Sequence, residues 1–196
     1  MTFKNVLAPA LMLAASTPAV AQFSDSYNFL KAVRDRNGGE ATELLSKNNP
    51  NLIDTQDGNT GERAIHIVVR ERDLSWLAFL VQKGARVDLK DNQGTTPLML
   101  AARIGNVEAA RLLIARGAQV NATNKLGETP LIMAVQRRDV AMTRLLLTQG
   151  ADPAKRDTAT GMSARDYAVR DGRSAVILKL MDETKPASRA GVAGPK

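Results

Sequence analysis

His66 is the only histidine in the chain, and a single imidazole limits the chemistry that the sequence can perform. Nucleophilic hydrolysis by serine needs a histidine and a carboxylate around the nucleophile, and a zinc site needs three or four ligands. The chain has no cysteine, which excludes thiol catalysis and cysteine-bound zinc. The adjacent carboxylates Asp182 and Glu183 fit a solvated chain end, and no glycine-rich phosphate loop ends in Gly-Lys. These observations predict a protein that is not an enzyme and has no cofactor or metal.

The charge balance indicates which partners the chain attracts. Its 27 Lys and Arg residues exceed its 20 Asp and Glu residues, for a net charge of +7. An excess of this sign favours an acidic partner or an anionic surface. Aromatic residues make up only 4% of the chain, which leaves few rings to stack on bases. We therefore expect another protein, with acidic character, as the partner, and we do not expect nucleic acid.

The elements that position these residues follow a repeat of 33 residues. The segment Gly-Thr-Thr-Pro-Leu at 94–98 returns as Gly-Glu-Thr-Pro-Leu at 127–131. A Gly-Ala pair recurs at 84–85, 117–118 and 150–151, each time after an apolar triplet. Several landmarks that keep one period predict a stack of equivalent units.

Each unit carries the signals of two helices. Thr96 and Thr129 can accept a free N–H group at a helix start, and Pro97 and Pro130 fit the first helical position. Within the unit, Gly105 permits the left-handed turn that ends the first helix. The apolar face of 107–115 then predicts a second helix, which Gly117 ends in the same way.

These motifs resemble the ankyrin repeat, whose signature is Thr-Pro-Leu-His followed by Ala-Ala, a Gly, Leu-Leu and Gly-Ala. The resemblance implies an all-α solenoid of about five helix-turn-helix repeats joined by β-hairpin fingers. It also implies that His66, at the histidine of the signature, is a structural tie that bonds backbone between repeats. A metal or base role for this histidine lacks the second ligand that it needs.

The period places the domain at 22–184, with repeats near 23–57, 58–90, 91–123, 124–157 and 158–183. The end repeats are degenerate, because terminal repeats present a polar face to water. Residues 185–196 are expected to be a disordered tail. Arg72 and Arg138 occupy the turn position of Gly105, where a side chain in left-handed conformation costs about 1 kcal/mol. Either these loops form another type of turn, or the neighbouring Asp73 and Asp139 stabilise the left-handed turn.

An arginine column is the first candidate binding feature. The last position of the first helix carries Arg in four of the five repeats, and the column consists of Arg34, Arg70, Arg103, Gln136 and Arg170. Because repeat four has Gln136 there, the following residue, Arg137, is added to the candidates. Equivalent positions of stacked repeats lie roughly 10 Å apart on the concave side that the ankyrin family uses for binding. The column either grips an acidic partner or only complements the helix dipoles.

The finger tips are the second candidate feature, because loops on a rigid scaffold commonly carry recognition. Their polar residues also fit any solvated turn, and the candidates among them are Asn92, Gln93, Lys125 and Arg156. Trp76 on a second helix either anchors a partner or fills a gap between helices.

The first 21 residues predict a secretory signal peptide. A single charge at Lys4 precedes an apolar run too short to span a bilayer comfortably, and Ala19-Val20-Ala21 forms the cleavage site after Ala21. Cleavage would remove one of the seven net charges and leave +6 on a mature chain without a transmembrane segment. Export of a chain without cysteine indicates a bacterial periplasm.

Together the patterns predict a monomeric, non-catalytic protein–protein interaction module of the cell envelope. It would bind its partner through the concave helix face and the finger tips. The alternative is a binder of an anionic polymer or membrane surface that is driven by charge.

Overall fold

The computed structural model describes residues 24–47, 49 and 51–184. The predicted signal peptide with Ala21, and the predicted tail 185–196, lie outside the described residues. The described part of the chain forms ten α-helices in five antiparallel pairs, with one 3₁₀ turn at Leu52–Asp54. The pairs are α1 Asp25–Arg34 with α2 Gly38–Ser46, α3 Ala64–Arg70 with α4 Leu74–Gln82, α5 Pro97–Ile104 with α6 Val107–Ala115, α7 Pro130–Gln136 with α8 Val140–Thr148, and α9 Ala164–Asp171 with α10 Ala175–Glu183.

Side-chain caps explain where the helices begin. Thr96 and Thr129 accept the N–H of Met99 and Ile132, and a proline occupies the first position of α5 and α7. The second helices α2, α4, α6 and α8 start at an Asn or Asp that accepts an N–H three residues later: Asn37, Asp73, Asn106 and Asp139. Each cap satisfies one of the backbone donors that a helix start leaves free.

The turn inside each pair uses one left-handed residue. Gly105 and Gly172 have φ values of +68° and +66°, and Arg36, Arg72 and Arg138 have +56°, +58° and +57°. The arginine turns are therefore left-handed like the glycine turns, so the first of the two possibilities at Arg72 and Arg138 is wrong. The side chains of these three arginines each bond to the next repeat.

The first helices α1, α3, α5, α7 and α9 pack against one another in series and form the middle of the core. Their small residues allow this close stacking: Ala101, Ala134 and Ala168 have no exposed surface. The second helices α4, α6, α8 and α10 pack in a parallel series behind them. The core is therefore continuous from repeat to repeat, because no helix pair covers its own apolar side.

The fingers between repeats differ from the expected β-hairpins. Within the described residues they consist of turns, and their pairing is limited to two isolated antiparallel bridges, Gln56 with Arg63 and Arg156 with Ser163. A backbone bond closes each finger, as from Asp91 to Thr95 and from Asn124 to Glu128, but the loops are too short to extend it into a strand ladder.

Candidate binding surface

An aspartate or asparagine organises each finger from its first residue. The side-chain oxygen of Asp91 accepts the N–H groups of Gln93 and Thr95 at 2.8 and 2.7 Å. The equivalent residues Asp57, Asn124 and Asp157 accept two backbone N–H groups each in the same way. The bonds from Thr60 and Asn59 to Asp57 lower the pKa of its carboxyl to about 2. This role was not among the predicted ones, although an Asp or Asn repeated before each finger glycine is a typical turn signal.

A ladder of single hydrogen bonds connects the finger tips. In each step a backbone N–H donates to a carbonyl of the preceding finger, at 2.9–3.1 Å: Asn92 to Thr60, Lys125 to Gln93, and Thr158 to Leu126. The finger glycines make this approach possible. A Cβ at Gly61 or Gly127 would lie only 2.7 or 2.6 Å from the N atom that donates in the ladder. The tips therefore hold one another at a fixed spacing.

A second ladder links the repeats at the base of the fingers. Here a side-chain oxygen accepts the backbone N–H that follows the Gly-Ala pair of the next repeat. The three bonds measure 2.9–3.0 Å: Arg86 to Asp54, Gln119 to Asp88, and Asp152 to Asn121. With both ladders in place, each finger is bonded to its neighbours at tip and base.

The finger candidates divide into two kinds. The amide of Asn92 donates to the carbonyl of Asn59 at 3.0 Å, and Arg156 donates to Gly161 and forms an ion pair with Asp166. The side chains of Asn92 and Arg156 therefore stabilise the finger conformation through bonds within the chain. The side chains of Gln93 and Lys125 are exposed and form no hydrogen bond or ion pair within the described chain. Leu126 beside Lys125 is 54% exposed, so this tip also offers an apolar contact.

The arginine column also divides. Arg34 forms an ion pair of 3.0 Å with Asp57, and Arg70 pairs with Glu62 in the finger that precedes its own helix. Arg170 lies over the ring of Tyr167, with 5.0 Å from its guanidinium carbon to the ring centroid. Three of the four column arginines therefore have an intramolecular partner, which the sequence analysis did not foresee.

Arg103 and Arg137 have no such partner in the described part of the chain, and both are exposed. Arg103 has none because Thr95 stands where the preceding repeat has Glu62, the carboxylate that binds Arg70. The guanidinium of Arg137 lies against Gly105, 3.3 Å from the position that a Cβ would take there. These two residues are the free guanidinium groups among the predicted candidates.

His66 is fully buried in α3 and bonds across the repeat boundary. Its Nε2 lies 3.0 Å from the carbonyl oxygen of Thr95, and its Nδ1 accepts the N–H of Arg63 at 3.3 Å. With Nδ1 as acceptor, Nε2 carries the proton and donates it to Thr95. Burial lowers the pKa of the imidazole, so the neutral form that suits both bonds is favoured. No group of His, Asp or Glu residues in the described ranges could hold a metal ion.

Trp76 packs within its own helix rather than standing free. Its ring meets Phe79 edge to face at 5.3 Å, and the residue is only partly exposed. A cavity of about 240 Å³ beside the two rings is lined by Arg36, Gly38 and Ser75. The glycine at the start of α2 leaves this space, because no side chain there covers the indole.

Paired helices, left-handed turns and interlinked fingers together define a helical-repeat solenoid. A family model described as ankyrin repeats in three copies matches residues 29–124, and a second, ankyrin repeats in many copies, matches 105–147. The chain belongs to the ankyrin-repeat family. Ankyrin repeats are generic modules of protein–protein interaction and are typically not catalytic. Among residues 24–47 and 51–184, no helix has the length and apolar character to cross a membrane.

Proposed function

We propose that this chain is a non-catalytic protein–protein interaction module that binds its partner with the exposed side of its first helices and its finger tips. The observation that carries the proposal is the tip ladder. It fixes the fingers while leaving the side chains of Gln93 and Lys125 exposed and unbonded. A surface that is rigid before binding loses little conformational entropy on association.

The chemistry of the same surface supports an acidic partner. Arg103, Arg137 and Lys125 all carry positive charge and form no ion pair within the described part of the chain. Guanidinium groups bind carboxylates with two parallel hydrogen bonds and are enriched at protein interfaces. A monomer fits this proposal, since the binding surface lies within one stack of repeats.

We further propose that residues 1–21 direct the chain out of the cytoplasm and are removed after Ala21, so that the partner is met in the cell envelope or periplasm. The short apolar run and the Ala-x-Ala end support export. Mass spectrometry of the protein purified from its producing cell tests this: a chain that begins at Gln22 is expected, and a full-length chain in the cytoplasm contradicts it.

Site-specific photocrosslinking tests the binding function. A benzoylphenylalanine at Gln93 or Lys125 is expected to capture one discrete partner, whereas the same group at Arg144 on the exposed side of α8 captures none. Equal capture at the finger and α8 positions, or capture at neither, contradicts the proposal.

A charge-driven binder of an anionic polymer or membrane surface is the rival function, and the net charge of +7, which becomes +6 once Lys4 is removed with residues 1–21, favours it. Salt distinguishes the two. For a polyelectrolyte, the logarithm of the binding constant falls steeply and linearly with the logarithm of the salt concentration. The affinity of a shape-matched protein interface depends on salt more weakly. Crosslinking at Gln93 that persists from about 0.05 to 0.5 M salt excludes the polymer.

A further inference from the structure

Outside the centre of the stack, carboxylates of the chain neutralise the arginines of the left-handed turns. The guanidinium of Arg36 reaches to the next turn and pairs with Asp73 at 3.0 Å and Glu71 at 3.5 Å. Arg138 reaches in the same direction and forms hydrogen bonds with both carboxylate oxygens of Asp171. Each of these arginines therefore bonds one repeat to the following one through an acidic residue just before or after the next left-handed residue.

The central turn lacks that acidic residue. Arg72 also reaches to the next repeat, but Ile104 stands at the position of Glu71 and Asp171. The guanidinium of Arg72 therefore donates to the backbone carbonyl of Ile104 instead. In the following repeat the same position holds Arg137, so a positive charge replaces the negative one.

Arg72 and Arg137 thus meet at one turn, Arg103 lies at the end of the helix just before it, and we call these three residues the central arginine cluster. Arg72 bonds to Ile104, Arg137 lies against Gly105, and Arg103 directly precedes Ile104 in the chain. All three are exposed, and none forms an ion pair within the described chain.

One carboxylate, that of Asp139, also lies at this turn. One oxygen of Asp139 accepts the N–H of Met142 at 2.9 Å and caps α8. The other lies 3.0 Å from the Cβ position of Gly105 but forms no ion pair with Arg137. Asp139 offsets at most one of the three positive charges, so the cluster keeps an excess of positive charge.

We propose that the central arginine cluster binds carboxylates of an acidic segment in the protein partner. The inference rests on the proposed interaction function and locates its centre at the third repeat. The chain itself shows the ligand, because equivalent arginines in the flanking repeats take Asp or Glu: Asp57, Glu62, Glu71, Asp73 and Asp171. The partner supplies the carboxylates that Thr95 and Ile104 replace, and the part-exposed Ile104 offers an apolar contact that a bare anion cannot use.

A binding titration with a defined probe tests the cluster. The probe is a fluorescent peptide of alternating Glu and Leu, measured by anisotropy against the full chain. In Arg72→Gln/Arg103→Gln/Arg137→Gln, we expect affinity to fall about tenfold, because three exposed ion pairs each contribute a few-fold. The matched control Arg111→Gln/Arg116→Gln/Arg144→Gln removes the same charge from α6, its C-terminal end and α8, and is expected to change affinity less than about twofold.

Equal losses in the two triple variants would show non-specific attraction and overturn the proposal. If circular dichroism shows that the triple variant is unfolded, the double variant Arg103→Gln/Arg137→Gln, which retains the left-handed Arg72, is titrated with the same peptide instead. Labelled polyphosphate that binds more tightly than the peptide and loses affinity in the cluster variant would assign the site to an anionic polymer instead.

Photocrosslinking at Gln93 separates the two proposals. If the cluster variant still captures the partner at unchanged yield, the proposal for the central arginine cluster is refuted and the proposed interaction function is retained. If neither the wild type nor the variant captures a partner, the proposed interaction function is refuted, while the peptide titration still tests whether the cluster binds carboxylates.

Discussion

Replacing Gly127 by alanine tests whether the tip ladder stabilises the stack. Gly127 has a φ of +75°, and an added Cβ would lie 2.6 Å from the backbone N of Thr158 and 3.0 Å from its Cγ2. Gly161 is the equivalent residue of the last finger, with a φ of +69° but no atom of another residue within 4 Å of its Cβ position. The two substitutions therefore share the backbone strain and differ in the contact with the next finger.

The strain and the contact have different magnitudes. A left-handed alanine costs about 1–2 kcal/mol, and the smaller entropy of the unfolded chain returns about 0.4–1 kcal/mol. This leaves a loss of about 1 kcal/mol in the free energy of unfolding for Gly161→Ala. Gly127→Ala must also displace Thr158, which costs about 1–3 kcal/mol as overpacking and weakens the bond from Thr158 to Leu126. We expect a total loss of about 2–4 kcal/mol.

Urea denaturation followed by circular dichroism at 222 nm gives both free energies. Gly117→Ala serves as an interior control, since Gly117 has a φ of +88° with open space around its Cβ position. It is expected to behave like Gly161→Ala. If Gly127→Ala loses no more stability than these two controls, the close approach of the fingers contributes nothing and the reasoning on the ladder is wrong.

Three further predictions concern single buried or paired groups. The hydroxyl of Thr143 is buried without a hydrogen-bond partner, so Thr143→Val is expected to raise the free energy of unfolding by about 1 kcal/mol; a lower melting temperature contradicts this. The pKa of buried His66 is lowered in the folded state, so the unfolded chain binds more protons as pH falls below about 6.5, and stability should decline there. His66→Gln should flatten the melting temperature between pH 7 and 5, and an unchanged slope refutes the assignment. The hydrogen bond from Arg138 holds the pKa of Asp171 at about 2, so NMR titration of Arg138→Gln should show this pKa rising towards the 3.8 of an ordinary aspartate, whereas Arg144→Gln should leave it unchanged.

Short-range signals explain which parts of the structure were predictable. The predicted second helix at 107–115 has the bounds of α6, and Pro97 and Pro130 begin equivalent helices. These features depend on caps and glycines within a few residues, where backbone sterics and local hydrogen bonds decide the conformation. The expected β-hairpins are not seen among the described residues: a backbone bond closes each finger, but further bonds go to side chains and to the neighbouring finger, so no strand ladder forms.

The arginines show the limit of sequence reasoning. Their column was readable, but Arg34 pairs with a residue 23 positions away and Arg138 with one 33 positions away. Whether an arginine is free depends on which side chain the adjacent repeat places beside it, and only the stacking decides that.

By itself, the sequence determined the period, the helix pairs and the family, because the capping and turn residues of each repeat lie within a few positions of the helices that they begin or end. The tertiary structure alone decided that Arg72 and Arg138 take the left-handed turns of glycine, and that Arg103 and Arg137 form no ion pair within the described residues. The physical reason is that ion pairs and ladder bonds join residues about one repeat apart, so their energies exist only after the helix pairs are stacked.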